Sequence, residues 1–385
     1  MQYFVSDRPE PIRFGHPLWD KELPRDYRPT QKVAHTSLTY GAYFSAISDF
    51  MGIVGATRLA EIASQIADAP IKPGAISQVD IHLEKHGAFY HPARLNLHVA
   101  VKHIACVVNV AMSQMGKDTI NAEFESLKRL SRRYADSCLP HVYACHAVRI
   151  DDQPDVFMLL GDWFNDFYEF HLSKDKDLHT PAIRIWDPSN PNRFLSPEQS
   201  QQIFEQAAMI LTSHYCIDTT EQIAWWHHAA GDFVVRINAA HISVKLVTVR
   251  KYEPLFNLGQ SDVSLESILN TVLIFFLNMC LKLRIDRLDG VGEMAWNHFD
   301  VVPSIIRGFF KGLSFQVQNQ RIPGELVEAI KLFFLKLPEK DVRDIYLDIA
   351  DRIDPQSPDF PIVRHNIAVH IAAVVHGFRQ LSRSE

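Results

Sequence analysis

The segment 225–235 concentrates residue types that could transfer a proton or bind a metal ion. His227 and His228 are adjacent, and Asp232 follows four residues after the second of them. A histidine with an ordinary pKa of about 6.5 accepts a proton at neutral pH, and a carboxylate is a ligand that Mg²⁺ prefers. The preceding Trp225 and Trp226 are expected to pack against this segment rather than to stack on a base or sugar. General base or metal chemistry is therefore the chemistry to look for here.

The other histidines do not show the spacing of a metal site. His82 and His86 fall in a predicted strand, where four residues at about 3.3 Å each place their side chains roughly 13 Å apart. His365, His370 and His376 lie in a predicted helix without i, i+4 spacing, and no H-E-x-x-H motif occurs. We expect these histidines to be core or surface residues.

The composition is that of a globular protein with no overall positive charge. The chain has 385 residues, of which 47% are apolar and 22% charged, so a disordered, collagen-like or coiled-coil chain is disfavoured. Lys and Arg number 39 against 45 Asp and Glu, a formal net charge of −6, which predicts no nucleic-acid partner. The five cysteines form no C-x-x-C pair and are too sparse for a disulfide framework, which favours a reducing cytoplasm.

Neither a signal peptide nor a membrane helix is expected. The first 24 residues carry charges and prolines where a signal peptide needs an apolar core. The strongest apolar run, 271–281, contains Asn278 and is shorter than the roughly 20 residues that a membrane helix needs. We predict a buried helix there and a cytoplasmic protein.

The first half of the chain changes periodicity three times. Five prolines within 1–40 predict an extended arm, and apolar residues at three- and four-residue spacing predict a helix over 42–69, ended by the sequence PIKPG. Alternating and β-branched residues over 77–112 predict three neighbouring antiparallel strands. A helix opening at Asp118 and two further strands, near 141–148 and 156–160, follow.

The second half is predicted to be mainly helical, apart from one hairpin near 232–250. The sequence from Ser196 to Gln199 has a capping serine, an early proline and a glutamine three residues after the serine, which is the signature of a helix start. Further helices are predicted over 265–283, 302–311, 324–337, 340–353 and 363–381.

This order of elements resembles that of the protein-kinase-like fold, in particular its aminoglycoside and choline phosphotransferase branch. The resemblance covers residues 77–335 and implies an α+β protein with two lobes, a small antiparallel sheet lobe and a larger helical lobe. We accordingly divide the chain into an N-terminal arm and helix (1–74), a sheet lobe (75–163) and a helical lobe with a catalytic-loop-like hairpin (164–385).

In the sheet lobe, the resemblance implies three nucleotide-binding positions. In the family, the third strand supplies a lysine for the phosphates and the next helix a glutamate that pairs with it. Asn109 stands at the lysine position, and Glu123 resembles the glutamate. Because an amide brings no charge, Lys102 is a predicted substitute for the lysine. The glycine-rich loop would be 85–88, with Gly87 as its single glycine, and a plain hairpin turn is the alternative.

The segment 156–171 resembles the strand and hinge that join the two lobes. Backbone groups of that hinge bind adenine in the family, so the resemblance implies that residues 160–165, including Asp162 and Trp163, lie beside a nucleotide. A plain strand followed by an aromatic-rich helix start is an equally weighted alternative.

The segment 225–235 is similar to the family's catalytic loop, H-G-D-x-H-P-G-N followed by three apolar residues. Aligned on its ending, Asp232 falls at the metal-binding Asn, and His227 falls at the catalytic Asp. The resemblance thus implies that His227 is the base and Asp232 an Mg²⁺ ligand. Thr248 stands where the family has the Asp of D-F-G, which removes the main metal anchor. The acidic segment 286–293 could supply a carboxylate to the site, although a solvated loop is the preferred interpretation.

A second resemblance concerns the same residues. His227, His228 and Asp232 satisfy the H-H-x-x-x-D pattern of chloramphenicol-acetyltransferase-like and condensation-type acyltransferases. That pattern implies that His228 is the base and that Asp232 pairs with an arginine, for which Arg236 or Arg250 is a candidate. These enzymes also have strand-rich halves on both sides of the motif, which 262–381 does not predict.

The sequence therefore predicts nucleotide-dependent phosphoryl transfer to a small hydroxylated molecule, with ATP and Mg²⁺ as cofactors. Nucleotide binding without catalysis follows instead if the altered positions have ended the reaction. An acyltransferase is the second hypothesis, and an interaction scaffold that binds no nucleotide is the third. A small-molecule substrate is expected, with neither nucleic acid nor membrane as a partner.

Overall fold

A computed structural model describes most of the chain, in two compact units. It describes residues 1–5, 8–24, 38–87, 89–100, 102–134, 138–150, 153–174, 181–191, 193–226, 229–238, 241–256 and 264–381. The units are Met1–Asn165 and Asp166–Glu385. His227 and His228 lie outside the described residues.

The first unit is built on a six-stranded sheet covered by three helices. Its elements are β1 (Gln2–Val5), α1 (Tyr40–Val54), α2 (Ala56–Ala67), β2 (Ile76–Leu83), β3 (His91–Val99), β4 (Lys102–Ala111), α3 (Gln114–Arg133), β5 (Val142–Ile150) and β6 (Gln153–Asp162). The strand order is β1-β2-β3-β4-β6-β5, and neighbours are antiparallel except β1 and β2. The five predicted strands are confirmed, whereas β1, which runs parallel to β2, was not predicted.

Alternate residues of β4 contribute to the main apolar core on one face of the sheet. Cys106, Val108 and Val110 are buried in a core that also contains Phe44 and Phe50 of α1. The residues between them point to the other face of the sheet, as strand geometry requires. The helix predicted over 42–69 is interrupted at Gly55, which has φ +79°, and it therefore forms two helices, α1 and α2.

The other sheet face is partly covered by α3. This helix begins at the capping residue Ser113, whose hydroxyl accepts the Gly116 amide, and so it starts earlier than the predicted Asp118. Its Ile120 packs with Ala111 and Leu159 of the sheet.

The second unit is mainly helical, with four two-stranded antiparallel pairs. Its elements are β7 (Phe170–Ser173), β8 (Ala182–Ile185), α4 (Pro197–Ser213), β9 (Glu221–Ala224), α5 (Ala229–Asp232), β10 (Phe233–Asn238), β11 (His241–Leu246), β12 (Lys251–Pro254), α6 (Leu265–Lys282), β13 (Ile285–Arg287), β14 (Met294–Trp296), α7 (Val302–Gln318), α8 (Gly324–Lys336), α9 (Glu339–Asp351) and α10 (Asp359–Gln380). The predicted hairpin is confirmed as β10–β11. The predicted helices are confirmed with changes of one to four residues at their ends, except that the helix predicted over 302–311 continues to Gln318.

Helices α4 and α7 pack closely because α7 carries glycines at the contact. A Cβ atom at Gly308 would overlap with the backbone oxygen of Glu205 on α4. The apolar helix α6 contributes Phe276, whose ring lies between 5.1 and 5.4 Å from those of Phe309, Phe334 and Phe378. Among the described helices α6 alone is long and apolar enough to cross a membrane, and the burial predicted for its sequence is confirmed.

Three strand pairs of the second unit were not predicted. They are β7–β8, β9–β12 and β13–β14. The prediction of a solvated acidic loop over 286–293 is wrong for Asp286, which lies on β13 and is buried, while Asp289 and Glu293 retain exposure. The predicted class, an α+β protein with a sheet unit and a larger helical unit, is confirmed, whereas the N-terminal helices α1 and α2 belong to the core of the sheet unit rather than to a separate extension.

Candidate functional site

Two strand pairs bring the ends of the catalytic-loop-like segment next to residues 247–250. The antiparallel pair β9–β12 holds Ala224 opposite Lys251, and β10–β11 follows directly after Asp232. The backbone oxygen of Asp232 accepts a hydrogen bond from the Val247 amide at 2.9 Å. The positions that the kinase resemblance assigned to metal binding, 232 and 248, therefore belong to one cluster.

Asp232 is held by a two-point ion pair with Arg250. Nη1 of Arg250 lies 3.0 Å from Oδ2 of Asp232, and Nη2 lies 2.7 Å from Oδ1. The two side chains are only 13% and 6% exposed. Nη1 also donates to the backbone oxygen of Trp225, at 3.1 Å. The guanidinium thus neutralises the carboxylate and ties both ends of the segment together.

This pair bears directly on the predicted Mg²⁺ site. Both carboxylate oxygens of Asp232 accept hydrogen bonds from Arg250, whose positive charge would repel a metal ion bound to the same carboxylate. Across the described ranges, no three His, Cys, Asp or Glu side chains are grouped so that they could hold a metal ion. The magnesium site at Asp232 therefore stays a prediction, with Arg250 as the residue now seen to pair with that carboxylate.

Thr248 gives the cluster a hydroxyl where the kinase resemblance requires a carboxylate. The residue is buried, and its Oγ1 has no hydrogen-bond partner within the part of the chain that the structure describes. A threonine hydroxyl is neutral and binds Mg²⁺ far more weakly than a carboxylate. Neither Thr248 nor the paired Asp232 supplies a free negative charge to this cluster.

Trp225, the first residue of the segment 225–235, has an unusual backbone conformation. Its φ is +61°, which is rare for a bulky residue, and its side chain is half exposed. The Nζ of Lys251 lies 3.7 Å from the centroid of the indole ring. Trp226, in contrast, is buried against Phe233, with ring centroids 6.4 Å apart, so the expected packing role fits Trp226 better than Trp225.

A second polar cluster, not identified from the sequence, lies on one face of the β7–β8 hairpin. The register pairs His171 with Arg184, and the Trp186 amide donates to the backbone oxygen of Glu169. Since alternate residues share a face, this polar hairpin face also includes Ser173. The other face of the hairpin is apolar and buried. The period-two pattern of residues 169–173 is the sequence signal that could have predicted this strand.

His171 is the centre of the polar hairpin face. Its Nδ1 lies 3.3 Å from Oδ1 of Asp286, and its Nε2 lies 3.9 Å from Oε2 of Glu169. Burial alone would lower the pKa of His171, but the hydrogen bonds and charges of these two carboxylates outweigh it and raise the pKa to about 9. The His171 ring also lies 4.8 Å from that of Trp186.

The three nucleotide-binding positions predicted in the first unit do not form the family's charge pair. Glu123 is buried on α3 and accepts a hydrogen bond from the Tyr90 hydroxyl at 3.1 Å. Asn109 lies on β4 with no hydrogen bond to either Glu123 or Lys102 among the described residues. Lys102 lies at the opposite end of that strand, roughly 23 Å away at about 3.3 Å per residue, where its Nζ donates to the backbone oxygen of Ala67. Lys102 therefore cannot replace the missing lysine.

The predicted glycine-rich loop is the connection between β2 and β3. The Gly87 amide donates to the backbone oxygen of Tyr90 at 3.2 Å, and a Cβ at Gly87 would lie 2.8 Å from that oxygen. The glycine is thus explained by the close approach of the backbone within the connection. Ala88 lies outside the described residues.

Asp162 and Trp163, in the hinge-like segment, differ in how many of their polar groups make hydrogen bonds. The Asp162 carboxylate accepts hydrogen bonds from the His141 amide, the His141 ring and the Tyr143 hydroxyl, and its amide donates to the His141 carbonyl. The backbone amide and carbonyl of Trp163 make no hydrogen bond to any residue that the structure describes, and the guanidinium of Arg94 lies 5.5 Å from the Trp163 ring. The polar groups of the Asp162 side chain are thus engaged within the sheet unit.

Comparison with known proteins gives no family assignment. No protein-family model matches the chain, and no curated protein matches it. One similar solved structure is described as "WaaP in complex with acyl carrier protein". It is 12% identical, covers 66% of this chain and 86% of that chain, and has a TM-score of 0.27.

Proposed function

We propose that this chain is a kinase-like protein that binds a nucleotide without Mg²⁺ and does not transfer its phosphoryl group. The order of elements supports the kinase-like part of the proposal: a sheet with α3 after its third antiparallel strand, a hinge-like segment, then α4 and a loop followed by β10–β11. The proposed ligand is a small molecule bound in the cytoplasm, with no nucleic acid or membrane involved.

The ion pair between Arg250 and Asp232 carries the proposal that transfer is absent. Phosphoryl transfer in kinases depends on metal ions that neutralise charge developing on the phosphates. Here an arginine, rather than a metal ion, compensates the one carboxylate at the predicted metal position. With Thr248 neutral as well, a metal ion would have no anionic anchor in this cluster.

Two groups in the first unit support nucleotide binding. The backbone amide and carbonyl of Trp163, which make no hydrogen bond to any described residue, are of the kind that bind adenine in a hinge. The amide of Asn109 can donate to a phosphate oxygen without a metal ion, although it brings no charge. The expected affinity is therefore lower than that of an active kinase.

Thermal unfolding with nucleotides tests this proposal directly. ATP or ADP should raise the melting temperature equally in Mg²⁺ and in EDTA, because a ligand that binds only the folded state stabilises it by mass action. No phosphate should be released from ATP above the buffer rate. The variant Asn109→Asp should lose the nucleotide shift through charge repulsion, whereas Asn96→Asp, on neighbouring β3, should keep it.

Two outcomes would overturn the proposal. Stabilisation that EDTA abolishes, together with phosphate release or transfer, would identify an active phosphotransferase. Absence of stabilisation by every nucleotide tested, at millimolar concentration, would identify an interaction scaffold.

One observation favours a second candidate function. The H-H-x-x-x-D pattern implies an arginine partner for Asp232, and Arg250 is such a partner. Against it, the described residues from 264 onward are helical except for the short pair β13–β14, and so they lack the strand-rich half of those acyltransferases. An acyltransferase would release free thiol from acyl-CoA in a reaction that His228→Ala abolishes and that His227→Ala retains in part. Equal rates in all three proteins would exclude it.

A further inference from the structure

The surroundings of His171 are arranged for an imidazole that carries two protons. Oδ2 of Asp286 accepts the Leu172 amide and Oδ1 accepts the Arg287 amide, each at 2.7 Å, so the carboxylate is held as a hydrogen-bond acceptor. Nδ1 of His171 must therefore donate to it. Nε2 faces a second carboxylate, that of Glu169. A neutral imidazole would turn a lone pair towards one of these carboxylates, whereas an imidazolium donates Nδ1–H to Asp286 and presents Nε2–H towards Glu169, 3.9 Å away.

Two glycines with positive φ bring loop backbone against the same ring. A Cβ at Gly290 (φ +72°) would lie 2.8 Å from Nε2 of His171, and a Cβ at Gly231 (φ +83°) would lie 3.7 Å from its Cε1. Gly231 immediately precedes Asp232, the partner of Arg250. The ring of His171 is thus the point where the hairpin, the 288–290 turn and the catalytic-loop-like segment meet.

We propose that His171 is an imidazolium ion at neutral pH, and that its charge positions the Gly231–Asp232 turn against the polar hairpin face. His171 is in this sense a positioning residue that acts through Gly231. The proposal does not depend on nucleotide binding.

The charged groups packed around His171 support a buried cation. They are Glu169 on β7, Arg184 on β8, Asp286 on β13 and Asp289 in the 288–290 turn, with Asp232 of α5 next to Gly231. Arg184 is engaged by Asp289 at 3.0 Å, and Asp232 by Arg250. Among the described residues, Asp286 and Glu169 are the carboxylates that face the two ring nitrogens of His171.

Two spectroscopic probes can follow the contact between His171 and Gly231, one at each of these residues. Trp186, which is 39% exposed, lies against His171, and a protonated imidazole quenches indole fluorescence by contact. Ala230–Gly231 is the single Ala-Gly dipeptide in the sequence, so protein labelled with ¹³C′-alanine and ¹⁵N-glycine gives one carbon-detected C′–N correlation. That correlation needs no amide proton and can be followed at alkaline pH.

Both probes should titrate together between pH 7 and 10. We expect a rise in fluorescence and a shift of the Gly231 nitrogen with a common midpoint near 9, as the ring loses its proton. Trp186→Phe should remove the fluorescence change alone, His171→Gln should remove both, and His241→Gln, at an exposed position, should remove neither. Should His171→Gln fail to fold, Glu169→Gln serves instead and should lower the common midpoint.

The proposal is overturned by a Gly231 correlation that does not move with pH, or that moves identically in His171→Gln. A fluorescence midpoint at the ordinary histidine value would equally contradict it. A Gly231 midpoint that differs from that of Trp186 would show that the turn does not follow the imidazole.

Discussion

At the scale of single residues, the Arg250–Asp232 pair makes a sharp energetic prediction. Arg250→Ala removes the guanidinium that pairs with the buried Asp232 carboxylate, which should lower the free energy of unfolding by about 3–5 kcal/mol in urea titrations. Arg352→Ala is a matched control, because Arg352 pairs with Asp348 on the exposed surface of α9 and its loss should be barely measurable.

The double variant Asp232→Ala/Arg250→Ala separates the pair from general packing loss. Removing both charges leaves no unpaired carboxylate, so the double variant should be more stable than Arg250→Ala alone. If the single and double variants lose equal stability, the carboxylate is not the origin of the effect.

The Asp232–Arg250 pair could be predicted from the sequence, whereas the role of His171 could not. Asp232 and Arg250 lie 18 positions apart, and the H-H-x-x-x-D pattern already named Arg250 as a candidate partner. His171 was missed because its partner Asp286 is 115 positions away, and no local pattern connects them. Pairings of such sequence separation depend on the tertiary fold.

At the scale of elements, two helical glycines should respond oppositely to alanine. Gly308 on α7 faces the backbone of Glu205, so Gly308→Ala should cost about 1–3 kcal/mol by forcing α4 and α7 apart. Gly52 lies on the exposed side of α1 with no atom near its would-be Cβ, so Gly52→Ala should stabilise the protein by up to about 1 kcal/mol. Chemical denaturation of both variants tests the contrast, and a loss of stability in both would contradict it.

Elements with strong local sequence signals were predicted, whereas strand pairs with only three or four residues in each strand were not. The start of α4 was correct because Ser196 and Gln199 form a reciprocal capping box. The start of α3 was placed too late, since Ser113 caps it without a glutamate or glutamine three residues on. Pairs such as β13–β14 have three residues a strand, too few for a period to show in the sequence.

At the scale of the whole molecule, buried histidines predict how stability depends on pH. Burial, and then the charge of His86, lowers the pKa of His91 to about 4, and burial, followed by the charge of Arg284, lowers that of His370 to about 3. The unfolded chain binds these protons near pH 6.5, so both groups stabilise the fold above that pH and lose their contribution as the pH falls. For His171, whose folded pKa is raised, the stabilisation is complete below pH 6.5 and is lost as the pH rises through about 9.

The free energy of unfolding, measured in urea at pH 5, 7 and 9, should therefore be highest near neutral pH. Each histidine contributes a slope of about 1.4 kcal/mol per pH unit within its own window. His370→Phe should flatten the acid side and His171→Gln the alkaline side, while His241→Gln should leave the profile unchanged. An acid side that remains as steep in His370→Phe would show that other groups determine it.

The position of β5 at the end of the strand order has a consequence for self-association. Within the described part of the sheet, β5 pairs with β6 alone, so one row of its backbone groups is left for water or for another chain. Its register with β6 is irregular between Val142 and Ala144 and again between Val148 and Ile150, and its outer end carries the exposed Arg149. A foreign strand cannot follow such a bent and charged border over its full length. At the β5 edge, the sheet thereby discourages its own extension into fibrils.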